Sequence, residues 1–162
     1  MSTTLNLVDL RRGTTADLPV VDTIMQAAFD PRYGEAWTRG QCLGIMAMPG
    51  VWLTIASIDG QAAGFSLSRC IADEVELLLL ATSPAFRRRG VGRALIGAVI
   101  SAAQEQGAAL IHLEVRAGND AIKLYSGAGF AKVGERRGYY RSPHGQLFDA
   151  LTFSCPLRPI MG

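Results

Sequence analysis

Leu18, Val21, Ile24, Met25 and Ala28 recur at the spacing that lines one face of an α-helix. Thr14 or Thr15 offers an N-cap, Asp17 lies in the first turn, and Pro19 is early enough to be tolerated. Asp30-Pro31 and Gly34 break this helix, and a second is predicted from about Glu35 to Met48, closed by Pro49-Gly50. Strand patterns surround the two. Asn6–Arg12 alternates loosely, while Val51–Ile58 and Gln61–Ile71 flank Asp59-Gly60, a two-residue hairpin signal. Val75–Thr82 contains four consecutive leucines, Leu77 to Leu80, which predicts a central strand covered on both faces. The helical period returns at Val91, Ala94, Leu95, Ala98, Val99 and Ala102, giving a helix over about Val91–Gln106 with Gly107 as its stop. Ala109–Arg116 is a strand, about Asp120–Ser126 a short helix, and Phe130–Arg136 and Leu147–Cys155 are two closing strands. This order predicts a single α/β domain over residues 1–162, a mixed, mostly antiparallel sheet of about seven strands with flanking helices. Its second half holds a βαβ unit.

Composition narrows the classes. Of 162 residues, 49% are hydrophobic and 19% charged, enough for a packed core and too apolar for intrinsic disorder. A net charge of +2 gives no general argument for a nucleic acid or an anionic membrane. Cys42, Cys70 and Cys155 are odd in number and lack metal or redox spacing, so buried thiols in a reducing compartment are expected. Met1-Ser-Thr-Thr-Leu lacks the basic start and apolar run of a signal peptide. Pro49-Gly50 divides the uncharged stretch from Gly40 to Ile58, so no membrane span is expected either. A cytoplasmic location is expected.

The basic residues are unevenly placed. Only Lys123 and Lys132 are lysines, and Arg87-Arg88-Arg89-Gly90-Val91-Gly92 falls between the leucine strand and the long helix. Such a junction is an anion cradle: glycines admit close backbone approach, and the first-turn N–H groups and helix dipole favour negative charge. Arginines beside it suit a phosphate. No Walker A pattern is present, and Gly90-Val91-Gly92-Arg93-Ala94-Leu95 lacks the third small residue of a dinucleotide fingerprint. A tight strand–helix turn with solvated arginines is the alternative.

Arg87-x-x-Gly90-x-Gly92, the Ser83-Pro84 turn before it, Leu113-Glu114-Val115-Arg116 and Leu124-Tyr125-x-x-x-Gly129-Phe130 occur in the order that resembles the GNAT acetyltransferase superfamily. Within it the chain is most similar to the RimI-type ribosomal-protein alanine N-acetyltransferases. The matching residues are Glu114-Val115-Arg116-Ala117-x-Asn119, Arg136-Arg137-x-Tyr139-Tyr140, Asp149-Ala150 and, upstream, Ala36-Trp37-Thr38. The resemblance covers roughly Val51 to Leu157, and the stretch from Asn119 to Tyr125 is one residue shorter than usual in those relatives. It implies acetyl-CoA as donor. Backbone groups of Leu80, Ala81 and Thr82 would meet the pantetheine arm and polarise the thioester. Arg87, Arg88, Arg89, Gly90, Val91, Gly92 and Arg93 would hold the pyrophosphate, and Asn119 would touch the cofactor. Glu114 would be the general base and Tyr125 the general acid.

The residues' own chemistry keeps alternatives open. Strand alternation puts His112, Glu114 and Arg116 on one face, opposite Ile111, Leu113 and Val115. Glu114 is thus a base candidate, or else a partner of Arg116 or another arginine, and His112 is a rival base. Tyr125 is either the acid or a core tyrosine. Tyr139 and Tyr140 are either strand-edge aromatics or a wall for an acceptor peptide. Trp37 and Trp52 are core candidates, Trp37 the nearer to a substrate groove, and His144 suits a hairpin tip. The expected activity is acetyl-CoA-dependent acetylation of a protein N-terminal α-amine, the N-terminal alanine of a ribosomal protein, with no metal, membrane or specific nucleic-acid partner. A small-molecule amine acceptor, or a non-catalytic CoA- or RNA-binding module, is the alternative.

Overall fold

The computed structural model describes residues 7–158. Strand β1 (Asp9–Gly13) leads into a 3-10 turn (Thr15–Asp17), where Thr14 and Asp17 cap each other's backbone, and then helix α1 (Leu18–Ala28). A second 3-10 turn (Pro31–Tyr33) precedes α2 (Arg39–Met46). Next come β2 (Val51–Ile58) and β3 (Gln61–Ile71), joined by Asp59 and Gly60 at φ +50° and +77°, the mirror-image turn that matches strand twist. Strand β4 (Glu74–Thr82), a 3-10 turn (Pro84–Phe86), α3 (Val91–Glu105) and β5 (Leu110–Arg116) follow. The chain closes with α4 (Ala121–Gly127), β6 (Ala131–Arg141) and β7 (Leu147–Pro156).

Among the described residues seven strands form one sheet in the order β1-β2-β3-β4-β5-β7-β6, with β4 and β5 its only parallel neighbours. The predicted α/β class, strand number and βαβ unit are all present. α1 and α2 cover one face, packing Leu18, Val21, Ile24, Met25 and Cys42 against Leu53, Ile55 and Phe65. On the other face α3 and α4 pack Ile96, Val99 and Tyr125 against Val75, Ile111, Leu113 and Phe153. Each fully buried side chain of this size contributes about 1.5–3 kcal/mol.

Three expectations need correction. The first strand was predicted at Asn6–Arg12 and β1 is Asp9–Gly13, while Asn6 lies outside the described residues. The second helix begins at Arg39, not Glu35. Thr38 Oγ1 accepts the Gln41 N–H at 3.1 Å, and Gln41 Oε1 accepts the Thr38 N–H at 2.8 Å, a capping box that starts the helix there. Strand β6 runs on to Arg141, because its pairing with β7 breaks after Arg136 and resumes at Tyr140 opposite Phe148. Trp52 is core as expected, and all three cysteines are free, Cys70 only half-buried. No helix among the described residues is long and apolar enough to cross a membrane.

A fork in the sheet positions the site. β4 and β5 pair only over Glu74–Glu76 and Leu110–His112. Across β3, Leu67 faces Leu79 and Ser68 faces Leu77, so Leu78 is an extra residue in β4. A bulge of this kind bends and twists its strand. Beyond Glu76 the β4 edge toward β5 has no strand partner among the described residues.

Candidate active site

A cavity of about 700 Å³ occupies the fork. Leu77 to Thr82 of β4 and Leu113 to Arg116 of β5 form its sides. Arg87, Arg88 and Leu124 also line it, as do Glu35, Trp37, Tyr139 and Tyr140. Glu114, Tyr125, Leu80, Ala81, Thr82, Arg87, Arg88, Asn119, Tyr139, Tyr140 and Trp37 were named from sequence, and all of them line this one cavity. Arg89, Gly90, Val91, Gly92 and Arg93 do not; they form the loop and helix start just beyond it. His112 lines a separate cavity of about 390 Å³ with Arg69 and Glu74, its Nε2 lying 3.8 Å from Glu74 Oε2. Glu114 therefore lines the fork and His112 does not. His144 is exposed in the turn closed by the Ser142 and Gln146 backbones, as expected.

The loop fits a phosphate-bearing donor. Gly90 caps α3 at φ +80° and supplies no side chain, so no side chain competes for the first-turn N–H groups. Arg87, Arg88 and Arg89 are exposed, and no ion pair among the described residues engages them or Arg93. Arg89 rests over the Phe86 ring at 5.8 Å. The Val91 side chain is core, so only its backbone is available at the loop. Gly92 has a packing reason as well: a Cβ there would meet Leu124 Cδ2 at 2.9 Å.

At the other end two carboxylates are fixed by arginines. Glu114 Oε1 lies 3.1 Å from Arg136 Nε, and its Oε2 accepts the Thr152 hydroxyl at 2.7 Å. The partner is therefore Arg136 rather than Arg116, which serves Glu35 instead. Glu35 Oε1 accepts Arg116 Nε at 3.1 Å and Oε2 accepts Asn119 Nδ2 at 2.8 Å, with the residue 8% exposed. Asn119 Oδ1 in turn accepts the Ala121 N–H at 2.8 Å, so both ends of its amide are engaged within the protein.

Two phenols face these acids. Tyr125 is anchored in the α3–α4 core beside Phe130, at 5.9 Å between ring centroids. Burial first, and then the Glu35 charge, pushes its hydroxyl well above the ordinary phenol range. It therefore keeps its proton at neutral pH. Tyr140 donates its hydroxyl to the Glu114 carbonyl oxygen at 3.2 Å and is likewise pushed up, chiefly by burial and next by Glu35. Tyr139 packs edge-on against it at 4.9 Å and is 49% exposed. Of the two rings, Tyr140 is fixed and Tyr139 is open to solvent.

Glu35 and Tyr33 escaped the sequence reading. Arg116 stacks 3.6 Å over the Tyr33 ring, which meets Phe148 edge-on at 5.1 Å. The available signal was Glu35 standing immediately before Ala36-Trp37-Thr38, hidden by the assumption that a helix began there.

Comparison with known proteins gives the class. The model of the acetyltransferase (GNAT) family matches residues 20–130, and the chain belongs to that family. It is an acetyl-CoA-dependent N-acetyltransferase. The ribosomal protein bS18-alanine N-acetyltransferase of Escherichia coli is 37% identical over 100 residues, 61% of this chain and 67% of that protein. Its namesake from Salmonella typhimurium is 33% identical over 145 residues, covering 89% and 94%. A crystal structure of the Escherichia coli enzyme superposes with a TM-score of 0.83 at 30% identity, over 96% of this chain and 97% of that one.

Proposed function

We propose that the chain acetylates the α-amine of a protein N-terminus, the N-terminal alanine of a ribosomal protein, in the cytoplasm. The single observation that carries this reading is one cavity lined both by Arg87 and Arg88, which no ion pair among the described residues engages, and by Glu114 and Tyr125. The activity for which those relatives are named supports the acceptor.

Acetyl-CoA supplies an activated acetyl thioester. Arg87, Arg88, Arg89, Arg93 and the N–H groups from Gly90 to Gly92 hold its phosphates, and the unpaired β4 edge at Leu80, Ala81 and Thr82 holds its arm. An α-amine has an ordinary pKa of about 7.7–8.0 against about 10.4 for lysine, so a carboxylate suffices to take its proton. Glu114 is that base; Arg136 and Thr152 fix its orientation and leave acceptor capacity on both oxygens. Tyr125 keeps the proton that the departing sulfur needs. Trp37, Tyr139 and Tyr140 wall the acceptor, and Asn119 serves the site by holding Glu35 rather than by its own free amide. No metal enters the scheme, and no cluster of metal-ligating residues occurs among the described ones.

The test is mass spectrometry of peptides after incubation with acetyl-CoA. An Ala-initiated peptide should gain one acetyl group at its α-amine. Modification of lysine side chains or small amines in its place would refute the acceptor assignment.

A further inference from the structure

Glu35 is the buried carboxylate that the proposed chemistry does not use. It sits in the non-helical stretch between Tyr33 and Thr38, and its partners lie 81 and 84 residues away in sequence. Each of those partners is itself held. Arg116 is stacked on Tyr33 at 3.6 Å and donates Nη1 to the Ala117 carbonyl at 3.0 Å. Asn119 accepts the first backbone N–H of α4 at 2.8 Å. Glu35 therefore joins three elements: its own segment, the end of β5, and the start of the helix that carries Tyr125.

The same segment is fastened on its other side. Gly34 has φ +68°, and a Cβ there would lie 1.9 Å from the Arg141 carbonyl oxygen of β6, so only glycine permits this approach. The Trp37 N–H points to Met25 Sδ at 3.2 Å. A buried ion pair adds little net stability when its desolvation is counted, whereas removing one member leaves the other uncompensated. An arrangement this specific, with both carboxylate oxygens used in fixed directions, serves orientation better than stability.

We propose that Glu35 is a positioning residue: it clamps the segment bearing Trp37 onto β5 and the start of α4, and so sets the acceptor wall opposite Glu114. The proposal rests on the assignment of the Glu114–Tyr125 end of the cavity to the acceptor. The polarity of the clamp gives it a signature. Glu35→Gln would set the new amide against the Asn119 amide, two donors facing each other, because Asn119 Oδ1 is already committed to Ala121. Asn119→Asp would set two carboxylates together. Combining them restores every bond, with only the one between positions 35 and 119 reversed in polarity. The amide now at position 35 donates to the carboxylate now at position 119, and its carbonyl still accepts from Arg116. The total charge returns as well.

The experiment uses two readouts on the full chain. The first is acrylamide quenching of Trp37 in a Trp52→Phe background, which leaves one tryptophan. The second is steady-state kinetics with an Ala-initiated peptide. Each single variant should at least double the quenching constant and raise the acceptor KM about tenfold, with acetyl-CoA affinity unchanged within twofold. The double variant should return both readouts toward wild type, a non-additivity that contact between the two residues requires. Additive losses in the double variant, or single variants that leave quenching unchanged, would overturn the clamp. If a single variant does not fold, the double variant against wild type decides on the same criteria. Quenching needs no acceptor, so a wild-type chain that ignores the peptide refutes the acceptor assignment while the clamp is still judged.

Discussion

At the scale of single residues, the site is a matter of which oxygen is held by what. Glu114 is oriented by Arg136 and Thr152 within the fork, while His112 lies in the other cavity. Glu114→Gln should therefore lower kcat by roughly 10²–10⁴, and His112→Ala should leave it within about twofold; calorimetry should find acetyl-CoA affinity unchanged in both. A loss confined to His112→Ala would reverse the assignment. The two wall tyrosines should also separate. Tyr140 is bonded to the Glu114 backbone, so Tyr140→Phe should slow peptide and small-amine acetylation alike. Half-exposed Tyr139 should matter only for the longer acceptor, with Tyr139→Ala raising the KM for a peptide and sparing that for a simple amine. That Glu114 and Tyr125 would line one cavity was legible because strand alternation and a local motif mark them. Glu35 was not, because nothing near it in the chain announces Arg116 and Asn119 as partners.

At the scale of elements, local signals succeeded where the cause is local. Asp59-Gly60 set the β2–β3 hairpin to the residue, since both positive φ values belong to those two residues. The start of α2 was misplaced although its capping box, Thr38-x-x-Gln41, is written in the sequence; the polar–apolar pattern simply continues upstream through Glu35 to Trp37. The glycines of α3 and its cap make the same distinction testable. Gly90 has open space around it but φ +80°, so Gly90→Ala should cost about 1–2 kcal/mol in urea unfolding. Gly97, mid-helix and also unobstructed, should do the opposite, Gly97→Ala stabilising by about 0.5–1 kcal/mol. Gly92→Glu brings both bulk toward Leu124 and negative charge to the cradle. Its acetyl-CoA affinity should fall sharply by calorimetry on the folded variant, and unchanged affinity would refute the cradle.

At the scale of the whole molecule, function comes from where the sheet fails to pair. Nothing in the run from Leu77 to Leu80 signals that Leu78 is bulged or that β4 leaves β5 after Glu76, because both depend on how three strands fit together. That fork admits the cavity, and two phenols that line it are buried within reach of the Glu35 charge. Both Tyr125 and Tyr140 are held protonated beyond the ordinary phenol range by burial and by that charge. The linkage has a definite sign. Below about pH 10, the ordinary tyrosine value, folded and unfolded chains carry the same phenolic protons and the contribution is fully present. Above it the unfolded chain releases protons that the folded chain must keep, so stability falls as pH rises, by about 1.4 kcal/mol per pH unit for each such group. Urea unfolding between pH 9 and 11.5 should show the wild type losing stability with this slope. Tyr125→Phe, which keeps the ring packed against Phe130 and removes the ionisable group, should flatten the slope by about one such increment, whatever its stability at neutral pH. Parallel curves for wild type and variant would mean that the Tyr125 hydroxyl ionises as freely in the fold as outside it, and that neither its burial nor the Glu35 charge raises it.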